Sequence, residues 1–208
     1  IMHGNNEIGT LQPIGEIGRM CKERGVLFHT DCCQTYGKVP IDVEQMGIDL
    51  LGFTGHKGLL GPPGTGGLIL GPRVVIREME PLVRGGTGSR SDSEEQPENL
   101  PDRYESGTPN ISGIAGLKAA IEWIDRRGIH SIREHEKGLV RLLLEGLADI
   151  PGLHVHGTHD PELSTAIISF TIDGKSVSDI GLELNEDHEI LTRVGLHCAP
   201  AAHRTLGT

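Results

Sequence analysis

The apolar positions of the chain follow two periods, one of helices and one of strands. Residues 13–24 (PIGEIGRMCKER) open on Pro13, repeat apolar side chains at Ile14, Ile17 and Met20–Cys21, and are followed by Gly25. This predicts a helix with a glycine stop. Val26 to Thr30 is a short apolar run that predicts a buried parallel strand ending at Asp31. Ile48 to Phe53 predicts a second strand, running into Thr54-Gly55-His56-Lys57, and Gly67 to Leu70 a third. Strands alternating with helical or long connections predict an α/β sheet.

From Pro72 to Pro109 the periodicity fails. The stretch 84–95 has no apolar repeat and predicts a surface loop, either functional or a plain solvent-exposed linker. Ile114, Leu117, Ile121 and Ile124 restore a helical period over 111–127, with Gly128 as its stop, and 130–148 predicts a further amphipathic helix. Beyond Pro151-Gly152 the pattern predicts strands at 153–156 and 165–172, a helix near 176–187 and a strand at 189–194. The expected organisation is a large α/β domain over 1–128, including the 84–108 loop, and a smaller α+β domain over 129–208.

Composition narrows the functional classes. Hydrophobic residues at 36% and charged residues at 23% of 208 describe an ordinary globular chain. The net charge is -10 and the basic residues are scattered, which argues against a nucleic-acid surface. No apolar run reaches the length of a membrane span and no basic-then-apolar leader opens the chain. The four cysteines, at 21, 32, 33 and 198, lack zinc-site spacing, so no metal and a reduced, cytoplasmic setting are expected. The abrupt ends, Ile1-Met2-His3 and Leu206-Gly207-Thr208, suggest an internal piece of a longer protein.

In open α/β sheets ligands bind beyond the carboxyl ends of strands, where Asp31 and Lys57 both fall. A lysine after a buried strand and between glycines suits a partly desolvated amine that attacks an aldehyde to form a Schiff base. A phosphate-binding or surface lysine is the alternative. Asp31 suits the anion that keeps the pyridine nitrogen of pyridoxal 5'-phosphate (PLP) protonated; a turn or capping aspartate is the alternative. Gln34 could donate to the cofactor's phenolic oxygen. Thr54, His56 and the Gly86-Thr87-Gly88 segment could contact its phosphate. Near Cys198, Arg193 and His197 could stabilise a thiolate, against the alternative of an inert buried cysteine.

Asn5-Asn6-Glu7-Ile8-Gly9, His29-Thr30-Asp31-Cys32-Cys33-Gln34, Thr54-Gly55-His56-Lys57, Gly64-Thr65-Gly66-Gly67, Glu105-Ser106-Gly107-Thr108-Pro109-Asn110 and Arg193-Val194-Gly195-Leu196-His197-Cys198-Ala199-Pro200 occur in one order. Together, over nearly the whole chain, they resemble the class V aminotransferase-like PLP enzymes, in the cysteine desulfurase and selenocysteine lyase branch. The resemblance implies a fold-type I PLP-dependent transferase, with an incomplete, mainly parallel-sheet large domain and a smaller α+β C-terminal domain. It implies that Lys57 is the Schiff-base lysine, Asp31 the pyridinium partner and Gln34 the phenolic-oxygen partner. Thr54, where the family often has Ser, and His56 match phosphate contacts. Asn6 and Arg193 match substrate-binding residues, and Cys198 the cysteine that accepts sulfur as a persulfide.

The resemblance also implies that Thr87 and Thr108 lie in regions that approach the neighbouring subunit's cofactor, so a homodimer is expected. The implied reaction converts L-cysteine to L-alanine, with a sulfur-acceptor protein downstream. L-selenocysteine as substrate, another class V lyase or transaminase, and a non-catalytic scaffold remain as alternatives. Cys32 and Cys33 stand where small residues are usual and read as small buried hydrophobes. The family's upstream ring-stacking histidine and phosphate-binding turn are not in this sequence.

Overall fold

A computed structural model describes residues 1–208 apart from Ser91 and Cys198. Contacts divide the chain into two compact units: Ile1, Ile14–Gly37 and Ile41–Arg126 form one, and Met2–Pro13, Lys38–Pro40 and Arg127–Thr208 the other.

In the first unit the predicted opening helix is α1, Ile14–Glu23. Gly25, at φ +65°, allows the left-handed turn that ends it. The helix places Ile14, Ile17 and Cys21 on a core with Phe28, Cys32, Ile48 and Leu51. Three strands follow: β1 His29–Asp31, β2 Leu50–Thr54 and β3 Gly66–Leu70. They form one sheet in the order β1-β2-β3. β1 runs parallel to β2 (His29 opposite Leu50), and β3 antiparallel to it (Thr54 opposite Gly66). This part of the sheet is therefore mixed, because only eleven residues connect Thr54 to Gly66 and a parallel return needs a longer crossover.

β1 begins three residues later than the apolar run suggests. Val26 and Leu27 are exposed. The ladder is entered through Phe28, whose amide donates to the buried Asp49 carboxylate (2.7 Å) and whose carbonyl accepts from Asp49 and Leu50. Asp49 also receives Arg73, Nε at 2.8 Å and Nη2 at 2.5 Å. Pairing thus overrides hydrophobicity in setting the strand's start. The described residues of 72–109 are irregular apart from a 3-10 turn at Ile76–Glu78. Helix α2, Ile111–Arg127, matches the predicted span.

The second unit contains α3 (Ile129–Ala148), the antiparallel pair β4 (Leu153–His156) and β5 (Ser169–Ile172), α4 (Val177–His188) and α5 (Pro200–Leu206). β5 is shorter than the predicted 165–172, because pairing with β4 begins only at Ser169. The strand expected at 189–194 does not form. Its first two amides, at Glu189 and Ile190, donate back to the α4 carbonyl of Leu184, and among the described residues it has no ladder partner. α5 was not foreseen; Pro200 at its first turn starts it. The 2–13 segment is held by bridges Gly4–Leu11 and Thr10–Ser164. Buried Arg133 on α3 donates to the carbonyls of Ser164, Pro161 and Glu162 at 2.6, 3.0 and 2.9 Å.

Candidate active site

Two constellations carry the predicted residues, one in each unit. In the first, Asp31 ends β1 and Thr54 ends β2, so the parallel pairing of these strands sets both at their carboxyl ends. The turn after β2 carries His56 and Lys57. Gly55 permits that turn: a Cβ there would run into the Thr65 side chain, and its carbonyl and amide bond Gly61 and Thr65. Thr54 Oγ1 lies 2.8 Å from His56 Nδ1, joining the two residues assigned to phosphate.

Asp31 Oδ1 accepts the Cys33 amide at 2.8 Å. Burial acts to raise its carboxyl, but the Cys33 bonds and the Lys57 and His29 charges outweigh it and hold the group below the usual carboxylate range. Asp31 therefore stays an anion at neutral pH. Lys57 is exposed, not partly desolvated as its strand-end position suggested. Among the described residues its ammonium has no hydrogen bond or ion pair and reaches Asp31 only through its field. It is a free amine beside a fixed anion. Gln34 is half-buried on the turn that follows β1.

Cys32 is fully buried, and burial raises its thiol. Cys33 is pushed up to about 11, by burial first and then by Asp31. Both remain thiols at neutral pH and make poor nucleophiles. Thr87 and Thr108 lie on strands of loop brought together by the Gly107 amide on the Gly86 carbonyl (2.8 Å). Thr87 Oγ1 bonds Ser89 Oγ at 2.9 Å, and Thr108 is exposed.

The second unit holds Asn6 and Arg193 on the wall of a cavity of about 450 Å³, whose apolar side includes Ile180 and Leu184. Gly9, at φ +71°, closes the loop bearing Asn6; a Cβ there would strike the Ile167 carbonyl. Asn6 Nδ2 donates to Glu7 Oε1 at 2.5 Å. Glu7 Oε2 lies 3.0 Å from His197 Nδ1, and His197 Nε2 lies 2.9 Å from the Arg193 carbonyl. Arg193 itself is exposed. Cys198 lies outside the described residues.

Glu7 was overlooked as a site residue. Its only signal in the sequence was its place in the Asn5-Asn6-Glu7 motif, since its partner is 190 positions away. Among the described residues no group of three or more His, Cys, Asp and Glu could hold a metal ion, and no helix is long and apolar enough to cross a membrane.

The donor set can be tested against PLP. An anion at Asp31, the exposed side-chain nitrogen of Lys57 and the Thr54–His56 pair are of the kinds that could supply a pyridinium partner, a carbonyl-reactive nitrogen and phosphate donors. These residues fit the group.

The family model described as aminotransferase class-V matches residues 1–208. A protein of Methanothermobacter thermautotrophicus named "Probable cysteine desulfurase" is 37% identical, across 100% of this chain and 53% of its own length. The apo structure of the cysteine desulfurase from Thermococcus onnurineus NA1 superposes with a TM-score of 0.89 at 33% identity, covering 99% of this chain and 51% of that one. The Escherichia coli cysteine desulfurase CsdA gives 0.86 at 28% identity, covering 100% and 51%. The chain spans about half the length of the relatives it matches. The likeness assigns the fold expected from the motifs, a fold-type I PLP-dependent transferase.

Proposed function

This chain belongs to the aminotransferase class-V family, and from that premise we propose that it acts as a PLP-dependent cysteine desulfurase, converting L-cysteine to L-alanine. The observation that carries the reading is the pairing of an anion, Asp31 at the end of β1, with the exposed Lys57 on the turn that follows the adjacent β2. Relatives named as cysteine desulfurases support the choice of reaction.

When bound, PLP supplies an electron sink for the carbon skeleton of an amino acid. Asp31 keeps the ring nitrogen protonated and Gln34 donates to the phenolic oxygen. Thr54 and His56 bind the phosphate. Lys57 holds the cofactor and moves the proton of the substrate α-carbon as general acid and base. Asn6 and Arg193 bind the substrate carboxylate, Arg193 as a two-pronged donor. The Cys198 thiolate attacks the substrate sulfur. The sulfur–carbon bond breaks, its electron pair passes to the carbon skeleton, and protonation there yields alanine. Cys198 is left as a persulfide, so cysteine and enzyme thiol become alanine and enzyme persulfide with no outside oxidant. The high thiols of Cys32 and Cys33 favour Cys198 over either of them as the carrier.

The partners follow the same reading: a sulfur-acceptor protein, a cytoplasmic setting and a homodimer in which Thr87 and Thr108 serve the other subunit's cofactor. Leu82 and Val83, 99% and 65% exposed just before the Thr87 segment, support an apolar subunit interface there.

The test is product release from L-cysteine by the whole protein with PLP and excess dithiothreitol, which reduces the persulfide to free thiol and sulfide, beside Cys198→Ala. Equal sulfide and alanine, both lost in the variant, are expected. Cofactor bound at Lys57 without Cys198-dependent sulfide would move the function to another PLP reaction.

A further inference from the structure

We infer that Glu7 is a positioning residue whose buried carboxylate clasps His197 and thereby sets the backbone of Arg193–His197, on which the placement of Arg193 depends. The activity part of this inference rests on the function proposed above.

Glu7 is itself immobilised on every side. Its side chain is 7% exposed. Its amide donates to Asn5 Oδ1 at 2.8 Å, and its carbonyl accepts the Ser169 hydroxyl from β5. A carboxylate so buried must use both oxygens. One takes Asn6 Nδ2 and the other His197 Nδ1. The far nitrogen of the same ring engages the Arg193 carbonyl, closing a five-residue loop.

The loop it closes is not relaxed. Gly195 has φ +95° and His197 φ +49°, the latter a left-handed backbone that a β-carbon disfavours. Such a conformation persists only where surrounding bonds over-determine it, and the two ring bonds of His197 do so. One carboxylate thus links Asn6 to the segment of Arg193, the two residues assigned to the substrate. Glu7 needs no contact with substrate to act.

The experiment is Glu7→Gln in the whole protein with PLP, with His197→Gln and the double variant. An amide can offer an oxygen to only one of the two donors, so one bond of the clasp is lost. Expected are unchanged cofactor absorbance, a kcat/KM for cysteine lowered roughly tenfold, and faster hydrogen exchange at the amides of 193–197. The double variant should lose no more than the worse single, because the two residues act as one unit. Wild-type exchange at 193–197 in Glu7→Gln, or losses that simply add, would overturn the clasp. Should Glu7→Gln not fold, His197→Gln breaks the same link from its other side. Absence of sulfide from the unmutated enzyme would end the desulfurase reading alone, while exchange would still decide the clasp.

Discussion

Asp31, Thr54 and Lys57 in the first unit are placed by the chain immediately around them, whereas Asn6, Arg193 and His197 in the second hang from a carboxylate 190 positions away from the ring it holds. The first set needs two strands paired in register and one tight turn. The second needs a buried side-chain chain of hydrogen bonds with no regular element beneath Arg193. Reactive groups set by a ladder resist loss of any one side chain. Groups set by side-chain bonds fail together when one link is cut.

Lys57→Ala should give the largest effect, a loss of activity of at least about a thousandfold together with the cofactor's absorbance, while the fold persists. Retained activity would remove the first constellation from the chemistry. Asp49→Ala tests the ladder that carries it. It leaves the buried Phe28 amide without its acceptor and the partly exposed Arg73 guanidinium without its carboxylate, and should cost about 3 kcal/mol in urea unfolding. Asp31→Asn leaves the strand intact but removes the anion, and activity should fall about a hundredfold with the cofactor still bound.

In the second unit Arg193→Ala should raise the KM for cysteine about tenfold, by removing carboxylate binding. An unchanged KM would strip Arg193 of that role. The smallest expected effect is a pH dependence at His3, in the same 2–13 segment as Glu7. Burial, then the Arg133 charge, lowers its imidazole from 6.5 to about 4. A histidine lowered in the fold binds its proton more readily when unfolded. Its contribution is therefore full above pH 6.5 and fades as pH falls toward 4. Between pH 7 and 5.5 the loss should be about 1 kcal/mol, and His3→Gln should abolish it.

Much of this was legible in the amino-acid order. α1, α2, α3 and α4 follow a 3.6-residue apolar period that a helix needs whatever it packs against. Strands were less legible, because a strand exists only with a partner. Val26 and Leu27 are apolar yet stand outside β1, and 189–194 has the composition of a strand but no ladder among the described residues. Lys57 showed the same limit at the level of a side chain, since its exposure depends on what surrounds the turn and not on the glycines beside it.

By itself the sequence determined α1 to α4, the family, and the strand end and following turn that bear Asp31 and Lys57, because each of these is written in residues close together in the chain. Only the tertiary structure decided the antiparallel return of β3, the high thiols of Cys32 and Cys33, and the bond between Glu7 and His197. Pairing direction, burial and contact between distant residues arise from the packing of the whole chain, and no local pattern encodes them.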